Sequence, residues 1–330
     1  MKNYLIPIYK EQAPIEFADT QLSVFWTADE INVQKDIQDV LVNFSTAEKH
    51  AVITILKLFS IYETHAGDEY WGGRFKEMFD GAEFHRMASV FSMIELAVHA
   101  PFYNKINQLL HIDTPEFYMQ YLDDPELKAR VDHIGQIIDN KDSLISLGAF
   151  SIVEGAILYS NFAFLKHYQS EGKNKLMNVV RGINFSVRDE NIHSVAGAWS
   201  FKYKLLEKKN ELTLDEYNLL LADVEKQIKA LCEVVFMHEK QIISKLFEKG
   251  NIPGITAHQL ECFVQSRLND CLKELGFTKH YEVKYNPIAE WFYDGINKFQ
   301  FNDFFSGQGR EYNRNWDEAK FEWNTKKENT

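Results

Sequence analysis

Apolar positions recur three and four residues apart over long windows of this chain, the period of an amphipathic helix, and strand-like alternation is almost absent. Only 7 prolines interrupt the 330 residues, so the helices have room to be long. Ser45-Thr46-Ala47-Glu48 has the form of a capping box and opens a helix expected to reach about Phe79, with an interruption at Gly72-Gly73. A second long helix is predicted from about Glu83 to Leu110, and Thr114-Pro115-Glu116, an N-cap followed by proline, begins a third. Further helices are predicted near Ser143 to Tyr168, Lys173 to Leu206, Thr213 to Lys249 with a stop at Gly250, and Ala257 to Leu275 with a stop at Gly276. The fold class is therefore all-α. No internal repeat is visible, and the polar stretch after "DFFSGQGREYN" reads as a mobile tail carrying a few aromatics, which divides the chain into a helical domain over 1–305 and a tail over 306–330.

Composition narrows the function classes. With 45% hydrophobic and 14% aromatic residues, the chain has material for a sizeable core. A net charge of -12 argues against a nucleic acid partner, since a phosphate backbone selects basic surfaces. The start resembles no signal peptide and no later stretch approaches a membrane span, so the expected location is the cytoplasm, with no membrane partner. Cys232, Cys262 and Cys271 lack metal-knuckle or paired-redox spacing and are expected to be ordinary core residues in a reducing compartment. "WGGR" at 71–74 lacks the context of a phosphate loop.

Chemistry enters with "VRDENIH" at 187–193, where Glu190 and His193 stand three apart on one helix face. Alone, such a pair is usually a solvated surface neighbour. A second pair, Glu95 and His99, lies among apolar residues in "SMIELAVHAPFY", and two other helices each place a lone carboxylate in an apolar stretch, Glu63 in "LFSIYETHAG" and Glu154 in "FSIVEGAILYSNF". A carboxylate in such company is costly to bury unless a cation compensates it. One glutamate from each of two helices, and a glutamate with a nearby histidine from each of two others, is the constellation of dinuclear carboxylate sites in ferritin-like bundles.

With these residues in view, the chain resembles the small, radical-generating subunit of class I ribonucleotide reductase, and the likeness runs through most of its length. "FWTADEINVQKD" at 25–36, "VEGAILYSNF" at 153–162, "VRDENIH", "NPIAEW" and "FNDFFSGQGREY" are similar to that family's segments. The resemblance implies a ferritin-like bundle with additional helices, a dinuclear centre of iron, manganese or both, and Glu63, Glu95, His99, Glu154, Glu190 and His193 as ligands. It implies that Tyr103 carries the radical, that Trp26, Asp189 and His99 form a relay, and that Tyr312 passes the radical across the subunit boundary. It also implies a homodimer whose tail docks on a large subunit, which binds the nucleotide, with Phe321 and Trp323 as apolar anchors. Core packing is the plain alternative for Tyr103 and Trp26, and an arginine salt bridge for Asp189; a carboxylate beside the ligand pair also suits holding an imidazole N–H. Leu158 and Phe162 are expected as core, walling the site from solvent.

The sequence departs from the family in one place. Three residues before His99 stands Leu96, and the carboxylate is Glu95, about 100° round a regular helix from the usual direction. A local wide turn would swing Glu95 inward; otherwise Asp68, on the helix of Glu63, is the reserve ligand. A different dimetal oxidase acting on a small organic substrate is the alternative enzyme, and an iron-storage or metal-free bundle the alternative outside catalysis.

Overall fold

Residues 3–293 are described by the computed structural model of the chain, and among them no strand occurs. Helix α1 spans Ala13–Ser23. Helix α2 covers 46–78 as an α-helical stretch Thr46–Thr64, a wide π-helical stretch His65–Arg74 and a last turn Phe75–Met78. Helix α3 covers 82–109 and is likewise compound, with Ala82–Ile94 and Ala100–Leu109 flanking a π-helical turn Glu95–His99. Two shorter helices follow, α4 (Pro115–Asp123) and α5 (Pro125–Ile138). Helix α6 covers 143–166, with a third wide turn, Val153–Ile157, between Ser143–Ile152 and Tyr159–Lys166. The longest helix is α7 (Met177–Glu211), followed by α8 (Leu214–Leu246), α9 (Ala257–Leu275) and the short α10 (Pro287–Phe292).

The expected caps form. Ser45 Oγ accepts from Glu48 N at 3.2 Å while Glu48 Oε2 accepts from Ser45 N at 2.8 Å, and Thr213 pairs with Glu216 in the same way. Gly276 ends α9 at φ 91°, a left-handed conformation that costs glycine no steric strain. Three helices were not anticipated, α1, α5 and α10. Each carries a readable signal, since Pro14, Pro125 and Pro287 sit in the first turn, and the Asp124 side chain caps α5 by accepting from Glu126 N and Leu127 N.

Two helices, α2 and α7, differ from expectation in their boundaries. Gly72-Gly73 does not interrupt α2, which instead widens over ten residues and continues. The glycine that matters there is Gly67, where a Cβ would lie 2.8 Å from both Glu95 Cβ and Leu96 Cγ; its bareness lets α2 and α3 approach at the site. Helix α7 starts at Met177 rather than Lys173, because Leu176 turns left-handed at φ 51° and supplies no side-chain cap. Its cap comes from far away: Asp36 Oδ2 accepts from Asn178 N (2.6 Å) and Val179 N (2.7 Å), and Asp36 Oδ1 accepts from Asn178 Nδ2 (2.8 Å).

The stretch Ser143–Ser170 does have the length and hydropathy of a membrane span, contrary to the sequence expectation, but 94% of its most apolar window is buried inside the bundle. It is the central core helix, packed chiefly against α7. Cys232 and Cys271 are buried and unpaired, Cys262 is half-buried, and burial pushes the Cys271 thiol up to about 12. Tyr312, Phe321 and Trp323 lie outside the described residues.

Candidate metal centre

Six ionisable side chains from four helices meet in the centre of the bundle, each no more than 1% exposed: Glu63 from α2, Glu95 and His99 from α3, Glu154 from α6, and Glu190 and His193 from α7. Their donor atoms fall into two overlapping groups, each with all atoms within 4.8 Å of one another. One comprises Glu63, Glu95, His99 and Glu190; the other comprises Glu95, Glu154, Glu190 and His193. Glu95 and Glu190 belong to both.

The local backbone explains how Glu95 reaches this point. The turn Glu95–His99 is π-helical, so the residue one position away from the usual direction is rotated inward while Leu96 turns out, 38% exposed. Glu95 Oε2 then lies 2.8 Å from His99 Nδ1, and Glu95 Oε1 lies 2.6 Å from His193 Nδ1. Asp68 is exposed and stands in neither group, so the reserve ligand considered from sequence is removed. Glu154 also sits in a wide turn, and its oxygens accept from Trp71 Nε1 at 2.8 Å and Tyr62 Oη at 3.4 Å. Sequence reasoning missed Trp71 and Tyr62; Tyr62 adjoins Glu63, but nothing in the pattern aims either ring at α6.

The donor set is left unsatisfied by the protein. Both oxygens of Glu63, both of Glu190 and Oε1 of Glu95 are buried without a hydrogen-bond partner, and so are both ring nitrogens of His193. The short approach of His193 to Glu95 therefore lacks hydrogen-bond alignment, as expected when atoms converge on a common point. Buried polar atoms are ordinarily paired, and four glutamates ionised together carry four negative charges that two divalent cations would balance. Burial first, then the Glu95 charge, pushes Glu63 well above the usual carboxylate range. Burial first, then the Glu190 charge, does the same to Glu154, and burial with the Glu95 charge takes Glu190 to about 8. Glu95 goes the other way: burial opposes ionisation, but the imidazoles of His99 and His193 hold it well below that range. Carboxylate oxygens with two imidazoles, more than half of these atoms without a partner in a buried core, fit a dinuclear metal centre.

Around this centre lie the other expected residues. His99 Nε2 donates to Asp189 Oδ2 at 3.2 Å, and Trp26 Nε1 donates to the same oxygen at 2.7 Å. Asp189 Oδ1 accepts from Arg188 Nε and Nη2 at 3.0 and 2.9 Å, while Arg188 Nη2 also donates to the Val24 carbonyl at 2.6 Å. The arginine bridge foreseen as an alternative for Asp189 thus coexists with the histidine contact. Although burial opposes its ionisation, Arg188 and His99 keep the Asp189 carboxyl below its usual value. Tyr103 is fully buried, its ring 4.3 Å from that of Phe59, and its hydroxyl donates to Ser186 Oγ at 3.1 Å. Leu158 and Phe162 are buried, as anticipated.

Known proteins share this architecture. The chain is 27% identical over 305 residues to a ribonucleoside-diphosphate reductase subunit beta of Treponema pallidum, spanning 87% of this chain and 81% of that one. It is 24% identical over 308 residues to the subunit of the same description from Bacillus subtilis, spanning 90% and 88%. In fold it is similar to the dimanganese(II)-NrdF of Streptococcus sanguinis, with a TM-score of 0.73 at 22% identity, over 88% of this chain and 98% of that one. The bundle is thus ferritin-like. The family described as "Ribonucleotide reductase, small chain" matches residues 3–287, and with the helices, the buried carboxylates and the paired histidines in agreement, the chain belongs to that family.

Proposed function

We propose that this small chain holds two divalent ions on Glu63, Glu95, His99, Glu154, Glu190 and His193, and that it exports an oxidising equivalent to the large subunit with which its family works. One observation carries the reading: two four-residue groups sharing Glu95 and Glu190, buried and largely without partners of their own. When bound, the metal pair supplies the oxidising power by reacting with oxygen or a reduced oxygen species. Glu95 and Glu190, which belong to both donor groups, would help to hold either ion, and Trp71 and Tyr62 hold the Glu154 carboxylate in orientation. Manganese and iron both suit carboxylate and imidazole donors; that the Streptococcus sanguinis protein is a dimanganese one supports manganese.

Tyr103 stores the equivalent. Burial raises its phenol well above the ordinary value, and the hydroxyl keeps its proton against Ser186 until it is oxidised. Phe59, Leu158 and Phe162 keep water away. The equivalent leaves through His99, Asp189 and Trp26, a run of side chains joined by the 3.2 and 2.7 Å hydrogen bonds to one carboxylate oxygen. That run favours export over oxidation of a small organic substrate inside the bundle. Tyr312 then carries the equivalent across the boundary, with the chain acting in the cytoplasm as a homodimer docked through its 306–330 tail, anchored by Phe321 and Trp323.

The test is metal analysis and electron paramagnetic resonance on protein loaded with manganese or iron. Two ions per chain with a magnetically coupled signal are expected; one ion, or none, would reject the reading. Tyr103→Phe is expected to bind both ions as the parent does but to lose any organic radical signal, and persistence of that signal would move the radical elsewhere. Metal affinity is also expected to depend on pH in a definite direction. Burial takes Glu190 to about 8 and pushes Glu63 and Glu154 up as well, and a ligand must be the anion, so affinity falls as pH drops through about 8. Each displaced proton contributes up to about tenfold per pH unit. Titrations at pH 6.5 and 8.5 that gave equal affinities would contradict the protonation assigned to these carboxylates.

A further inference from the structure

Two buried arginines outside the six-residue cluster grip the wide turn that carries Glu154. Arg267, on α9, donates from Nε (3.0 Å) and Nη2 (2.9 Å) to the Gly155 carbonyl. Arg130, on α5, donates from Nη2 to the Ile157 carbonyl at 2.5 Å. Their side chains are almost wholly removed from solvent, at 8% and 3% exposure, where an unpaired guanidinium would be severely penalised. Each is also tied to the helix segment just after the turn. The Arg267 guanidinium lies 4.1 Å from the centre of the Tyr159 ring, and its Nη1 donates to Tyr293 Oη at 3.1 Å. Arg130 pairs with Glu239 Oε1 at 2.9 Å, and the other oxygen of Glu239 accepts from Ser160 Oγ. Gly155 permits the close seating of the turn, since a Cβ there would collide with Cys271 Sγ and Ser194 Oγ.

A wide turn carries one residue more than a regular one, and its displaced carbonyls need donors from elsewhere. Were it to relax into regular helix, residues on one side would rotate by about 100° relative to those on the other. Glu154 lies at the second position of the turn, while Tyr159 and Ser160 are fixed in the core beyond it. We propose that Arg267 and Arg130 are positioning residues for the metal centre: by holding the Gly155 and Ile157 carbonyls they keep the turn wide, and so hold Glu154 against Glu95, Glu190 and His193. The two guanidiniums act on one ion position only, because Glu63 and His99 are presented by other helices. This inference rests on Glu154 being a ligand.

The experiment titrates full-length Arg267→Lys, Arg267→Met and Glu154→Gln with manganese(II), read by electron paramagnetic resonance, alongside metal-free thermal melting. Arg267→Lys keeps the buried charge but replaces a forked two-bond grip with one ammonium. The second ion is expected to bind about tenfold more weakly in Arg267→Lys, and more weakly still in Arg267→Met. The first ion should keep parental affinity, so a six-line mononuclear signal appears at loadings where the parent gives a coupled pair. Coupled pairs at parental affinity in both arginine variants would overturn the proposal, as would equal weakening of both ions. If Arg267→Met does not fold, the same criteria applied to Arg267→Lys decide. Loss of the second ion in Glu154→Gln with no change in the arginine variants defeats the positioning role alone; two ions at parental affinity in Glu154→Gln defeat the ligand reading and this proposal with it.

Discussion

Replacing Glu190 with alanine is expected to cost the protein both tight metal positions, whereas His193→Ala should lose only one. The asymmetry follows from the geometry: Glu190 belongs to both groups of donors, and His193 to one. Neither change should unfold the bundle. Glu190 is neutral below about pH 8 in the metal-free state, burial being the main cause, so removing it relieves a buried carboxyl as well as leaving a cavity. Far-ultraviolet circular dichroism should remain helical, with metal counted on the same samples. Full metal content in Glu190→Ala would defeat the site assignment as a whole; equal losses in the two variants would defeat the shared role of Glu190.

Asp189→Asn is expected to take up its metals and yet, mixed with the large subunit, to reduce nucleotides no faster than the large subunit does alone. All four contacts to Asp189 come from donors: Arg188 Nε and Nη2 on one oxygen, Trp26 Nε1 and His99 Nε2 on the other. An asparagine must turn its NH2 group towards one of these pairs, so it places donor against donor whichever way it points. Breaking a buried charge pair of this kind costs roughly 3–5 kcal/mol. Much of that should appear as a lower melting temperature, since Arg188 loses its charged partner in the core. The informative comparison is Trp26→Phe, which removes one donor but leaves Arg188 and His99 in place. It should melt nearer the parent and be just as inactive. Parental turnover in Trp26→Phe would take this tryptophan out of the relay.

Much of this architecture can be read from the chain, and what cannot has a physical reason. Helix lengths followed from the spacing of apolar residues and from caps such as Ser45 with Glu48, because those signals are local. The shift from Leu96 to Glu95 left two outcomes open, a wide turn or Asp68 as the substitute ligand, and the π-helical turn Glu95–His99 is the one that forms. By contrast, the wide stretch at 65–74 left no trace in the pattern. Its width is set by how α2 meets α3 across Gly67, a contact between helices that periodicity does not encode. The same holds for Trp71 reaching Glu154, and for the arginines at the Gly155 and Ile157 carbonyls. These contacts join residues 83, 112 and 27 positions apart, so each depends on tertiary packing already being correct.

The cap on α7 has a kinetic consequence. Asp36 and the amides it accepts from are about 142 residues apart in sequence. Closing so long a loop is slow and entropically unfavourable, so local helix formation alone cannot complete the first turn of the helix that bears Glu190 and His193. Asp36 lies in the segment just after Trp26, and the two are seated against the same helix, Trp26 through Asp189. Docking that early segment therefore does two things at once: it anchors the helix that presents two of the six donor residues and it brings Trp26 to its carboxylate. On the reading proposed above, the start of the helix that bears Glu190 and His193 and the tryptophan outlet for the oxidising equivalent are set by the same docking.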